Sequence, residues 1–451
     1  MLIILAGLGG YLYLVELPAR QQEVKQETEQ KKLLLVPETA ITGLIISTAQ
    51  GPIQLNRAQS GIWKITAPLQ ADADIREVQG LLRALVTGTV SRTVAEKSEA
   101  LAPFGLDQPV TTVTVTAGAQ QETIAIGDSG PLSNTLYVLR GSDGKVLLTD
   151  LAPRDFVNKS LLAFRRKELF QFVQNDVDRV RLTYPTTEIV IYNMAKDKPK
   201  PAWKIRYPIE AEADQTEVRS LMFRLEDLKA LGIIDPGPER DAVAKTLSGP
   251  KVKVTLHTAA GDQTVRLYQP DPQSGEAIAE TTADAPLYRV NPTIIKDLTK
   301  ELFDLQDKRL LGVTPADIAM LSVKARDKAY VLINQTGEWV LEDQPTAKLN
   351  QQAVDLFVSR VAALPAEERV TKLTAPLAPY GLLAPTAEFV ATGKDGKMLG
   401  KLTLGNRVGN LVYATGEQLQ GIFHVRPDLL TQIPSTTDLL ATPQGHTGSG
   451  Q

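Results

Sequence analysis

Cysteine is absent from the 451-residue chain. Disulfides, thiolate-bound metals and cysteine nucleophiles are therefore excluded. Histidine is nearly absent, with His257, His424 and His446 the only three. None has a histidine partner three or four residues away, so the usual helical metal pair is missing. Excess charge is missing too: 49 Lys+Arg stand against 52 Asp+Glu, a net charge of −3, which leaves no basic footprint for nucleic acid. No apolar run reaches the roughly 20 residues of a typical spanning helix. The longest, Leu2 to Val15, stops at Glu16. No nucleophile elbow, Walker loop or dinucleotide fingerprint is found.

Tryptophan is scarce, but its placement organises everything else. The three tryptophans, Trp63, Trp203 and Trp339, each head one copy of the same stretch. Pro68, Pro208 and Pro345 follow them. Asp74, Asp214 and Asn350 stand at +11 in every copy. Apolar residues then fall at +15, +18, +19 and +22: Val78, Leu81, Leu82 and Leu85 in the first copy, Val218, Leu221, Met222 and Leu225 in the second, Val354, Phe357, Val358 and Val361 in the third. The run around each tryptophan is β-prone and reads as a strand ended by proline. The Asp, Asp and Asn read as helix N-caps. Glu77 and Glu217, three residues on, complete a capping box that Ala353 lacks. The apolar spacing is one stripe of an amphipathic helix. Copies 203−63 = 140 and 339−203 = 136 residues apart agree with about 150 residues per domain.

The expected fold class is α+β: three tandem repeats, each a mostly antiparallel β-meander sheet with a packed amphipathic helix, after an N-terminal membrane anchor. Residues 1–18 read as an uncleaved anchor, because nothing basic precedes the apolar run and no small-x-small cleavage site follows it. A start further upstream, supplying basic residues, is expected. Residues 19–38, rich in Gln, Glu and Lys, read as a charged linker or stalk. Repeats follow at 39–168, 169–311 and 312–442, and residues 443–451 read as a disordered tail. Within repeats 1 and 3, Phe104-Gly105-Leu106 and Tyr380-Gly381-Leu382 stand 41 residues after their tryptophans. Gly127-Asp128 and Gly405-Asn406 read as turns after strands. Repeat 2 lacks both elements, with Leu247-Ser248-Gly249-Pro250 and Leu267-Tyr268 instead.

These elements in order resemble a bacterial family, domain of unknown function 4340. The resemblance rests on the Trp-Lys-Ile-x-x-Pro strand end, the Ala71-Asp72-Ala73-Asp74 approach to the helix, Leu81-Leu82 and Phe104-Gly105-Leu106-Asp107-Gln108-Pro109. Ile126-Gly127-Asp128, Arg309-Leu310-Leu311 and a hydrophobic N-terminus complete it. It covers most of residues 39–442 and implies no established activity. Similarity to components found alongside ABC-type transport and gliding-motility systems implies an extracytoplasmic accessory role. The body is accordingly expected outside the cytoplasm. The basic residues after the anchor, Arg20, Lys25, Lys31 and Lys32, are mixed with acids and set no orientation.

Chemistry has few candidates. Asp72/Asp74 and Glu210/Glu212/Asp214 are acidic clusters that could bind a hard cation or do acid–base work. Repeat 3 has Lys348 and Asn350 in register, so capping is the better reading. The tryptophans could line a sugar-binding face, but their recurrence beside a helix stripe favours core anchors. Asn158-Lys159-Ser160 and Asn334-Gln335-Thr336 match a common glycosylation pattern. The expectation is a non-catalytic accessory or scaffold protein with no catalytic, cofactor or metal residues. It would be held to the membrane by its N-terminal helix, with membrane-protein partners. An envelope glycan- or ligand-binding module is the alternative, and an enzyme of unknown type comes third.

Overall fold

The computed structural model describes residues 31–97, 100–151, 159–195, 202–270, 275–281, 286–371 and 376–441. The anchor at 1–18, most of the linker, Asn158, His446 and the tail at 443–451 lie outside the described residues. No helix among the described residues is long and apolar enough to cross a membrane.

Alternating burial builds the strands. In Thr111–Ala117, Thr111, Val113 and Val115 face the core while the threonines between them do not. Repeat 1 supplies β1 (Gly43–Thr48), β2 (Gly51–Arg57), β3 (Trp63–Ala67), β4 (Ala71–Asp72), helix α1 (Ile75–Thr87), β5 (Val90–Ala95), β6 (Thr111–Ala117), β7 (Gln120–Ser129), β8 (Leu136–Arg140), β9 (Lys145–Thr149) and α2 (Leu161–Phe164). Its sheet runs β4-β3-β2-β1-β6-β7-β8-β9-β5, with antiparallel neighbours. Helix α1 thus carries the chain from one edge of the sheet to the other.

Repeat 2 supplies β10 (Val177–Thr183), β11 (Glu188–Asn193), β12 (Trp203–Tyr207), β13 (Ala211–Glu212), α3 (Gln215–Glu226), β14 (Gly232–Ile234), α4 (Pro238–Thr246), β15 (Val252–Thr258), β16 (Gly261–Pro270), β17 (Ala277–Glu280), β18 (Leu287–Val290), α5 (Thr293–Leu298) and α6 (Leu302–Leu305). Repeat 3 supplies β19 (Ile318–Ala325), β20 (Lys328–Gln335), β21 (Glu338–Leu341), α7 (Gln351–Ala363), β22 (Glu368–Thr371), β23 (Ala387–Gly393), β24 (Met398–Val408), β25 (Leu411–Gly416), β26 (Ile422–Val425) and α8 (Asp428–Thr431). Their sheets run β13-β12-β11-β10-β15-β16-β17-β18-β14 and β21-β20-β19-β23-β24-β25-β26-β22. The three sheets of nine, nine and eight strands are thus one topology used three times. The chain forms two compact units. The first is the described part of residues up to Leu169 with Lys229–Asp235 and Pro286–Val290; the second is the remainder.

The helix stripes bury as expected: Val78, Leu81, Leu82 and Leu85 on α1, Val218, Leu221, Met222 and Leu225 on α3, Val354, Phe357, Val358 and Val361 on α7. Full burial of such a side chain is worth about 1.5–3 kcal/mol. The caps also form. Asp74 accepts from Arg76 and Glu77 N–H at 3.0 and 3.4 Å, Asp214 from Thr216 and Glu217 N–H at 2.9 and 3.1 Å, and Asn350 from Ala353 N–H at 3.2 Å.

The capping boxes do not form. The N–H groups of Asp74, Asp214 and Asn350 donate instead to the carbonyls of Phe164, Leu305 and Leu439, at 2.7, 2.8 and 2.8 Å. The closing segment of each repeat takes the donor that Glu77 or Glu217 was expected to take. Those glutamates face lysines of the same segments, Lys159 at 2.7 Å and Lys300 at 3.6 Å. Around 292–303 the chain forms two short helices, α5 and α6.

The repeat boundaries shift as well. In the first unit, Val90 N–H donates to the Lys31 carbonyl and Ala230 N–H to that of Lys167; in the second, Ala366 N–H donates to Lys308, each at 2.8 Å. Lys31, Lys167 and Lys308 therefore hold one position. The apolar pairs two residues on, Leu33-Leu34, Leu169-Phe170 and Leu310-Leu311, are buried. Leu33 and Leu34 belong to the core of repeat 1, and Leu310 and Leu311 to the core of repeat 3. Residues 31–38 are thus part of repeat 1 rather than a stalk, and Arg309-Leu310-Leu311 opens repeat 3 rather than ending repeat 2. The lead-in joins its sheet beyond the helix, so its membership shows only when the chain has folded back.

Gly127-Asp128 and Gly405-Asn406 are not turns. They lie inside β7 and β24, where the ladder shifts register. The 3-10 turns Ala102–Phe104 and Ala378–Tyr380 pack onto them, closed by Gly105 and Gly381 in the left-handed region at φ 64° and 71°. A Cβ on Gly127 would meet the Phe104 carbonyl oxygen at 2.2 Å, and one on Gly405 the Tyr380 oxygen at 2.1 Å. The two motifs are halves of one contact, which explains their joint loss from repeat 2. There Leu267 pairs with Val252 as Ile126 pairs with Thr111, so Tyr268 stands at the Gly127 position. The docked turn is replaced, and α4 occupies that part of the chain.

Candidate functional site

The acidic residues do not converge. Asp72 is bound to Arg166 at 2.6 Å and Lys64 at 3.5 Å. Asp74, buried, caps α1 and meets Lys167 at 3.3 Å. Glu210 pairs with Arg206 at 2.6 Å, Glu212 with Lys204 at 2.5 Å, and Asp214 caps α3. Among the described residues no group of three or more His, Asp or Glu side chains could hold a metal ion. His257 sits in β15 and bonds Asp262 across the hairpin; that bond holds the Asp262 carboxyl below the usual range. His424 sits in β26, with Nδ1 3.3 Å from Glu368 and its ring against Tyr413. Asn334 lies near the end of β20, where its side chain accepts from Gly337 N–H at 2.9 Å.

The tryptophans line no open face. Each is 3% exposed, and Trp63 and Trp339 belong to the cores beneath their sheets. In repeats 2 and 3 a glutamine at the first helical position clamps the tryptophan backbone from both sides. Gln215 accepts from Trp203 N–H and donates to its carbonyl, both at 2.9 Å; Gln351 does the same for Trp339 at 2.7 and 3.0 Å. The Trp339 indole N–H donates to Asp355 at 2.8 Å. Gln215 and Gln351 stand at +12 from their tryptophans, while repeat 1 has Ile75 there. That signal was legible in the repeat pattern.

One concavity was not legible. A pocket of about 510 Å³ opens in the second unit, lined by Tyr184, Ile189, Pro208, Lys251, Ile295 and Leu302 among others. It lies beside the β10–β11 hairpin, under the two short helices that close repeat 2. Tyr184 forms a fixed wall: its hydroxyl donates to the Leu298 carbonyl at 2.9 Å and accepts from Lys300 N–H at 3.0 Å. Burial pushes its phenol up to about 12. Because Lys251, Tyr184 and Lys300 come from three distant parts of repeat 2, no local motif marks the pocket.

The repeated strand–cap–helix unit, with its lead-in and docked turn, can be set against known families. The profile of the family described as Domain of unknown function (DUF4340) matches residues 63–250 and 203–364. The chain belongs to this family. Both matches begin on a repeat tryptophan, Trp63 and Trp203, and run into the following repeat, so the DUF4340 frame is offset from the structural repeat. No curated protein and no solved structure matches the chain.

Proposed function

We propose that this DUF4340 protein is a non-catalytic accessory or scaffold component of a membrane assembly, such as an ABC-type transport or motility system. Residues 1–18 would anchor it, with the repeats outside the cytoplasm. One observation carries the reading: the conspicuous residues of each copy serve the fold. Asp74, Asp214 and Asn350 cap helices, their acidic neighbours sit in separate ion pairs, and the tryptophans fill cores. Burial of the three rings counts against a glycan-binding reading built on the tryptophans. Ligand binding keeps one specific support, the pocket beside Tyr184. Cross-linking in intact membranes followed by mass spectrometry tests the proposal. Recovery of membrane subunits of a transporter is the expected result, and a protein that captures no partner overturns it.

A further inference from the structure

We infer that the pocket in repeat 2 binds an amphiphile with an apolar body and a single anionic group. This inference goes beyond the accessory role and does not depend on it. The first observation is a comparison within the chain. Asn193 and Asn334 each pair with their repeat's tryptophan strand. Counted back from them, Lys328 of repeat 3 stands where repeat 2 has Thr187, and Tyr330 where it has Ile189. In repeat 3 these large side chains close the space over the hairpin. Lys328 Nζ donates to the Ile433 carbonyl at 2.6 Å, and the Tyr330 hydroxyl to that of Pro434 at 3.0 Å. In repeat 2 the same positions hold the smaller Thr187 and Ile189, and both line the pocket.

The second observation is the chemistry of the walls. Tyr184, Ile189, Pro208, Ile295 and Leu302 offer an apolar surface, and about 510 Å³ lies within the range of roughly 300–1,000 Å³ usual for small-molecule sites. The polar groups at the pocket are mostly used. The Tyr184 hydroxyl is satisfied twice, Thr299 donates to Ile295, Glu301 takes part in the cap of α6, and Lys300 faces Glu217. The Lys251 ammonium has no partner among the described residues, and its position is Val110 in repeat 1 and Thr386 in repeat 3. A lysine without a partner beside an apolar cavity selects an anion that carries hydrocarbon.

The test titrates the full chain calorimetrically with dodecanoate below its micellar concentration, with dodecyltrimethylammonium as the cationic control. The expected result is one saturable dodecanoate site, with the control at least tenfold weaker. The double variant Thr187→Lys/Ile189→Tyr copies repeat 3 and should abolish binding while melting like the wild type. Should that variant fail to fold, Lys251→Glu decides on its own. It should weaken dodecanoate about tenfold or more and strengthen the cation. Absence of a saturable site, equal binding of the two amphiphiles, undiminished binding by a folded double variant, or indifference to Lys251→Glu overturns the inference.

Discussion

A methyl group on Gly405 would stand 2.1 Å from the Tyr380 carbonyl oxygen, closer than any real contact allows. Backbone would have to move, and the Tyr380–Tyr413 ring pair, with centroids 5.0 Å apart, would move with it. Gly405→Ala should therefore cost roughly 1–3 kcal/mol by overpacking. Gly80 is the opposite case. It lies inside α1 with nothing within 4 Å of an added Cβ. Gly80→Ala should stabilise the protein by about 0.5–1 kcal/mol through helix propensity. Urea denaturation of the two variants checks both signs. Trp63, 3% exposed in the core of repeat 1, sets a larger figure: Trp63→Ala should cost about 3–5 kcal/mol. An unchanged melting curve would show that the ring does not carry that core.

Each helix is held at its start by two parts of the chain. The cap side chain serves the first turn, and the cap N–H reaches a carbonyl about ninety residues on. The closing segments are in turn tied to the first hairpin of their repeat, by Tyr184 in repeat 2 and Tyr330 in repeat 3. Burial raises both phenols, Tyr184 to about 12. A group whose folded value is raised contributes stability that is fully present below its unfolded value, about 10 for tyrosine. That contribution is lost as pH rises through the folded value. Tyr184→Phe should therefore make the fall in urea midpoint between pH 10 and 12 less steep. It should not abolish the fall, because burial also raises Tyr268 and Tyr330. At neutral pH the same variant should cost about 1–2 kcal/mol for its two lost hydrogen bonds.

In the second unit no spacer separates repeats 2 and 3. Asp307 N–H donates to Glu212, Leu310 N–H to Leu364, and Ala366 N–H to Lys308. Phe303 of repeat 2 stacks on Phe423 of repeat 3 at 5.8 Å, with the Arg369 guanidinium over both rings. Nearest-neighbour coupling of this kind is how repeat arrays gain stability beyond that of single copies. Asp307 lies at the joint. Burial pushes its carboxyl up, but bonds from the Arg309 guanidinium and N–H and from Gln418 outweigh burial and hold it below the usual carboxylate value. A depressed folded value means stability present above the unfolded value, near pH 4, and lost as pH falls below it. Asp307→Asn should accordingly flatten the decline in stability between pH 5 and 2, measured by thermal melting across that range.

The strand–cap–helix unit was legible in the residues because its determinants are local. A side-chain oxygen caps an N–H two or three positions on, and apolar residues at i, i+3, i+4 and i+7 share a face in any helix. Triplication made these signals unmistakable, and the three tryptophans located the cores. The remaining features needed contacts between distant parts of the chain. Glu77 and Glu217 have the right spacing for a capping box, yet the carbonyls of Phe164 and Leu305 reach the N–H first. Lys31 to Leu34 look like the end of a charged stalk until their backbone meets Val90. Gly127 and Gly405 look like turns until a second turn packs against them. The pocket beside Tyr184 is walled by residues that lie far apart in the sequence of repeat 2. Local spacing records which element a residue belongs to; which groups meet across it is set by the folding back of the chain.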